Sequence, residues 1–301
     1  MADTCGYIAI DWGTTNRRGY LIAGDGAVLD GFRDDRGVLA MRDGSYADDI
    51  AALRRRFGNL PVLLAGMVGS TRGWHDIPYV DAPATVEALA AATRDIAAHG
   101  AADGAPDVAI IPGIALREGG RADVMRGEEV QVFGAIAAGL APPSAQFCQP
   151  GTHNKWIVAD AGRIVDFSTA MTGELFSLLG THGILAGMLD GTVADGVAFR
   201  DGLARGGGAR DLTVALFEVR AAVLLGRRAP ADAAAYARGV LIGADVGARD
   251  DIAGRDIHLL ATGDLATLYT AAIADRGGRA VPIDSHAAFV AGIHAIREHR
   301  S

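Results

Sequence analysis

Asp11-Trp12-Gly13-Thr14-Thr15-Asn16-Arg17 and, half a chain later, Gly151-Thr152-His153-Asn154-Lys155 are the stretches on which the architecture turns. Each follows a short apolar run, 7–10 in the first case and Phe147-Cys148 in the second. Each is followed by a second strand-like run, 19–23 and 155–159. Gly24-Asp25-Gly26 and Asp160-Ala161-Gly162 are hairpin signals, with return strands over 27–32 and 163–167. Gly13-Thr14-x-Asn16 aligns with Gly151-Thr152-x-Asn154, and Arg17 with Lys155. Similarity at about half the chain length predicts a duplicated fold, two lobes facing each other.

Beyond each meander the pattern changes to helices alternating with strands. Helices are expected over 45–56, where Ser45-x-x-Asp48 forms a capping signal, and over 85–98 and 128–140. All-apolar strands are expected over 61–65 and 107–111. In the second half helices are expected over 173–179, 212–225, 231–242, 265–275 and 287–298, with strands over 257–261 and 281–283. Gly206-Gly207-Gly208 follows a helical pattern and is read as a flexible turn. A meander followed by alternating α and β, twice, indicates two α/β lobes of the ribonuclease-H type with a cleft between them. The expected division is 1–140 and 141–301, with the last helix returning to the first lobe.

The 301 residues suffice for two ordinary domains, and 50% are hydrophobic, so the chain can build a core. The frequent alanine and glycine suit close helix packing. A formal charge of -8 argues against general nucleic-acid binding, which needs a basic surface. No uninterrupted apolar run reaches the ~20 residues of a membrane span. The N-terminus lacks a basic segment followed by an apolar one, and Cys5 and Cys148 have no disulfide or ligand spacing. A reducing cytoplasm is the expected location. Gly-x-x-x-x-Gly-Lys-Ser/Thr, Gly-x-Gly-x-x-Gly after a strand, and His-Glu-x-x-His are all absent from the sequence.

The two corners carry phosphate chemistry. Asp11, at a strand end, suits Mg²⁺ held largely through water. Gly13 lets a backbone approach a phosphate, Thr14 and Thr15 add hydroxyls and N–H donors, and Arg17 adds charge. The second corner has no carboxylate at the place of Asp11; Gly151, Thr152, His153 and Lys155 there suit terminal phosphates. Thr262-Gly263-Asp264 closes a late apolar strand before a helix, and Gly263 is placed at the nucleoside end of ATP.

Three further stretches narrow the reading. They are Ala65-Gly66-Met67-Val68-Gly69-Ser70-x-x-Gly73-Trp74, Asp123-Val124-Met125-Arg126-Gly127-Glu128-Glu129-x-Gln131 and Pro150-Gly151-Thr152-His153-x-Lys155-Trp156, with Met171-Thr172-Gly173-Glu174-Leu175-Phe176 in support. The glycine–threonine corners resemble the actin and hexokinase ATPase superfamily. The combined stretches, spanning nearly the whole chain, resemble the 2-dehydro-3-deoxygalactonokinase family. The resemblance implies transfer of the ATP γ-phosphate to the terminal hydroxyl of 2-dehydro-3-deoxy-D-galactonate, in galactonate catabolism. Two features depart from superfamily habit: Thr-Gly-Asp stands where many sugar kinases carry paired glycines, and Glu128 where they carry an aspartate.

Glu128 is the first candidate for the base that accepts the hydroxyl proton, with Asp123 in reserve. Gly69, Ser70, Arg72 and Trp74 are expected to line the acceptor pocket, with Arg72 or Arg126 pairing the acceptor carboxylate. The expected cofactors are ATP and Mg²⁺. The expected partner is a small sugar acid, with neither nucleic acid nor membrane, and a homodimer is the one assembly kept open. The alternatives are a kinase for another sugar or sugar acid, and an actin-like nucleotide switch.

Overall fold

The structure, a computed structural model, describes residues 6–42, 45–96, 107–117, 120–208 and 211–300. Cys5, and the end of the helix expected over 85–98, lie outside the described residues. In chain order the elements are β1 Tyr7–Trp12, β2 Arg17–Ile22, β3 Val28–Asp34, α1 Ser45–Phe57, β4 Val62–Gly66, β5 Val80–Asp81, α2 Val86–Ala92, β6 Arg94–Ile96, β7 Val108–Ile110, β8 Ile114–Leu116, β9 Asp123–Met125 and α3 Glu128–Ala137. There follow β10 Ala145–Gln149, β11 Asn154–Asp160, β12 Arg163–Ala170, α4 Thr172–Thr181, α5 Val197–Gly207, α6 Leu212–Leu224, α7 Ala233–Gly247, β13 Asp256–Leu260, α8 Gly263–Asp275, β14 Arg279–Ile283 and α9 Ser285–Glu298.

The chain divides into two compact units. One comprises 1–144, 158–167 and 285–301; the other comprises 145–157 and 168–284. α9 belongs with the first unit, and so does 158–167, which a division at 140 would place in the second. A bridge between Ala84 and Ile164, and the Arg121–Asp166 ion pair, tie the first of these segments there.

The first unit is built on a sheet of order β3-β2-β1-β4-β7-β6. β1 pairs antiparallel with β2 and parallel with β4, and β4 runs parallel to β7. Ile8, Ile10, Leu64 and Ile110 are buried on one face of these strands and Ala9, Leu63 and Ala109 on the other, so the parallel centre is apolar on both faces. The second sheet has the order β12-β11-β10-β13-β14, with β10, β13 and β14 mutually parallel in that sequence. Taking strands in order of appearance, β3-β2-β1-β4-β7 and β12-β11-β10-β13-β14 are one arrangement drawn twice: the expected pair of ribonuclease-H-like α/β units. A further small sheet, β5-β8-β9, belongs to the first unit and was not foreseen, because its strands have two or three residues each.

Two helix pairs pack backbone to backbone at glycine, and one of them corrects a sequence reading. Gly206 and Gly207 are not a turn; they are the last residues of α5. A Cβ on Gly206 would lie 2.0 Å from the Val240 carbonyl oxygen, and one on Gly243 2.3 Å from that of Leu203. The α5–α7 crossing therefore brings backbone against backbone. In the first unit, Gly134 of α3 and Gly292 of α9 meet in the same way. The helix expected over 85–98 ends early, at Ala92, and β6 takes up the chain beside β7. No helix among the described residues is long and apolar enough to cross a membrane.

Candidate active site

In the first unit, β1 and β4 run side by side and end together, Asp11 opposite Ala65 and Trp12 opposite Gly66. The first corner follows β1. Its carbonyls are tied back: Gly13, Thr14 and Thr15 accept from the amides of Val38, Leu39 and Gly37 at 3.0–3.1 Å. Thr14 and Thr15 are exposed, and among the described residues no hydrogen bond engages their amides. A corner with its carbonyls occupied and its N–H groups turned outward suits an anion.

Asp11 is mostly buried, and one of its oxygens accepts from Arg18 at 2.6 Å. Arg18 sits directly across the β1–β2 ladder, so strand register makes this pair. The other oxygen faces glycine. A Cβ on Gly66 would lie 3.4 Å from Asp11 Oδ1, and one on Gly127 3.9 Å from it. Gly127 immediately precedes α3, at φ 109°, where a side chain would be strained. Three stretches far apart in sequence, around Asp11, Gly66 and Gly127, thus meet at one point.

The α3 start holds three charged groups. Glu128 Oε2 accepts from the Arg126 amide at 2.9 Å and is half-buried. Glu129 is fully buried, and both its oxygens lie 2.8 Å from the Gly127 amide. Burial, and then the neighbouring Glu128 charge, push the Glu129 carboxyl up to about 8. The Arg126 guanidinium is buried over the Tyr79 ring at 4.2 Å and donates to the Ile77 carbonyl at 2.7 Å. Its Nε and Nη1 have no partner among the described residues, and Nη1 would lie 2.9 Å from a Cβ on Gly69. A buried guanidinium with two idle nitrogens is a place for an anion.

Several expected site residues sit otherwise than foreseen. Arg17 is turned into the core: it is 5% exposed, pairs with Asp34 and Asp49, and lies over Trp12. Alternation along β2 sends Arg17 inward and leaves Arg18 on the Asp11 side, so the positive charge at the corner comes from Arg18. Trp74 stacks on Tyr46 at 5.6 Å, and Ser70 donates to the Met67 carbonyl, so both brace the turn after β4. Arg72 is exposed. Asp123 begins β9, where its carboxylate accepts from the Val124 amide.

In the second unit Gly151, Thr152 and His153 are exposed at the corner between β10 and β11. The start of α4 backs them: the Glu174 amide donates to the Thr152 carbonyl at 2.9 Å, and Glu174 also meets His153 at 2.8 Å. Lys155 is buried and donates to Thr169 at 2.7 Å. Gln149 holds the place that Asp11 has in the first unit; it is buried, and its Oε1 has no partner among the described residues. Gly263 opens α8, exposed and at φ 64°.

The donor set fits Mg²⁺ at Asp11. Among the described residues no three His, Cys, Asp or Glu side chains cluster as a metal cage. A single carboxylate with one oxygen toward Gly66 suits an ion whose shell water and phosphates complete.

The model of the 2-keto-3-deoxy-galactonokinase family matches residues 11–296. The chain belongs to this family. It is 37% identical over 297 residues to the 2-dehydro-3-deoxygalactonokinase of Escherichia coli (strain K12), covering 97% of this chain and 98% of that one. It is 38% identical over 298 residues to a protein of Rhizobium meliloti (strain 1021) assigned the same activity, covering 96% and 95%. A crystal structure from Sinorhizobium meliloti, assigned to the 2-dehydro-3-deoxygalactonokinases, superposes with a TM-score of 0.87 at 37% identity, covering 97% of this chain and 96% of that one. The (R)-2-hydroxyglutaryl-CoA dehydratase component A of Acidaminococcus fermentans shares the fold alone, with a TM-score of 0.54 at 11% identity over 99% of this chain and all of that one. Of the stretches that carried the resemblance, 65–74 and 123–131 meet beside Asp11 in the first unit, and 150–156 lies in the second.

Sequence reasoning missed Arg18, Glu129, Gln149 and Asp245 as candidates for a role. For Arg18 the signal was strand alternation beside Arg17. For Asp245 it was an acid inside a helix that is otherwise apolar on its buried face.

Proposed function

We propose that this protein transfers the γ-phosphate of ATP to the terminal (6-)hydroxyl of 2-dehydro-3-deoxy-D-galactonate. The observation that carries the reading is the meeting of Asp11, Gly66 and Gly127 in the first unit, with two guanidinium nitrogens of Arg126 unpaired among the described residues and one of them against Gly69. Phosphoryl transfer is mainly positioning and charge stabilisation. The exposed amides of Thr14 and Thr15, and the corner 151–153, bind phosphate oxygens. Asp11 would hold Mg²⁺ through water, and the ion would supply charge neutralisation at the phosphates. Glu128, half-buried at the start of α3, takes the proton of the attacking hydroxyl. Glu129 is sealed inside and instead holds the Gly127 amide in place. Arg126 pairs with the acceptor carboxylate, and Gly263 lies at the adenosine. The protein acts in the cytoplasm on a small sugar acid.

A coupled ADP-release assay tests this with 2-dehydro-3-deoxy-D-galactonate, its gluconate epimer and no acceptor. The galactonate form should turn over fastest. Turnover independent of any acceptor would instead mark a nucleotide switch. Arg126→Ala should raise the acceptor KM about 10–100-fold, the equivalent of losing a charge-assisted hydrogen bond. An unchanged KM would send the carboxylate elsewhere.

A further inference from the structure

Asp245 lies on α7 with its side chain 2% exposed. Its Oδ2 accepts from Asn154 Nδ2 at 2.7 Å, Thr172 Oγ1 at 3.0 Å and Tyr269 OH at 2.9 Å. Its Oδ1 accepts from Trp156 Nε1 at 2.9 Å, and the Arg249 guanidinium stands 3.8 Å away. A buried carboxylate is costly unless its lone pairs are satisfied, and here four neutral donors converge on one.

Two of those donors bracket the second corner. Asn154 is the residue by which the chain leaves it, and Asn154 Oδ1 also accepts from Cys148, at the end of the strand that leads in. Thr172 opens α4. The next residue, Gly173, packs so closely that a Cβ there would lie 2.4 Å from the Gly151 carbonyl oxygen. The residue after that donates its amide to Thr152. Fixing Asn154 and Thr172 to one carboxylate therefore fixes both sides of 151–153. Asparagine has the same shape as aspartate but offers one acceptor oxygen, with an N–H₂ facing donors.

We infer that Asp245 is a positioning residue for the nucleotide: it holds the corner 151–153 in the shape that receives phosphate. The inference rests on the assignment of that corner to ATP. Asp245→Asn leaves buried donors unpaired, and its ATP KM should rise about 10–100-fold while the acceptor KM stays near wild type. Thr172→Val removes one donor without changing shape and should raise the ATP KM in the same direction by less; it carries the test if Asp245→Asn does not fold. Ile273→Ala, a cavity in the same unit's core, should lower the Tm and leave the ATP KM alone. Gly151→Val separates the two ideas, since a Cβ there meets only the His153 carbonyl, at an ordinary 3.5 Å, yet would obstruct a phosphate. If Gly151→Val leaves the ATP KM unchanged, the corner is not a phosphate site. If Gly151→Val raises it while Asp245→Asn and Thr172→Val do not, Asp245 is structural only and the inference is overturned.

Discussion

The corner at 13–16 and the corner at 151–154 occupy the same place in two copies of one strand order, yet they are held by different forces. Backbone amides of the segment 37–39 tie the first, so its shape depends on chain path rather than on side chains. A helix start and a buried carboxylate brace the second. The strand ends before them differ in the same spirit: Asp11 is charged and paired with Arg18, whereas Gln149 is neutral with an idle oxygen. A duplicated fold keeps its topology while its two loops specialise, because topology depends on the apolar pattern and chemistry on a few polar positions.

On the proposed reading bond-making falls to the first unit, and the comparison breaks most visibly there. Glu128→Gln should lower turnover by about 10²–10⁴-fold, the range for loss of a general base, with the ATP KM unchanged. A normal turnover number removes Glu128 from the role. A smaller effect separates the two ways of holding a corner. Gly37→Ala would place a Cβ 2.3 Å from the Thr15 carbonyl carbon, and Gly173→Ala one 2.4 Å from the Gly151 oxygen. Each should cost about 1–3 kcal/mol of stability in denaturant unfolding, the scale of overpacking, and each should raise the ATP KM. Wild-type kinetics in either variant would uncouple that corner from the nucleotide.

A pH-dependent effect sharpens the first unit alone. The Glu129 carboxyl is raised from 4.5 to about 8 by burial first. Folding therefore favours its protonated form. The stability this contributes is complete below about 4.5 and is lost as pH rises towards 8. Thermal melts should show the Tm drifting down over that window, and Glu129→Gln should flatten the drift. A drift unchanged in the variant would assign it to other groups.

Most of the fold was legible because it is written in short-range signals. β1, β4 and β13 are apolar runs ended by Asp11, Gly66 and Thr262-Gly263, and turn glycines mark both meanders. The errors came where distant packing overrides local signal. Gly206 and Gly207 look like a turn until α7 approaches α5 closely enough to require them. Residues 94–96 look helical until β7 offers them a ladder. Arg17 looks like a phosphate ligand until Asp34 and Asp49 surround it.

By itself the sequence determined the doubled meander, the corners at Gly13 and Gly151, and the family, since periodicity and glycine placement act over a few residues. Tertiary structure alone decided which charges face which. It buried Arg17 and Glu129, left Arg126 half unpaired and gathered four donors on Asp245. Electrostatic pairing depends on distances between residues far apart in the chain, and no local pattern encodes those distances.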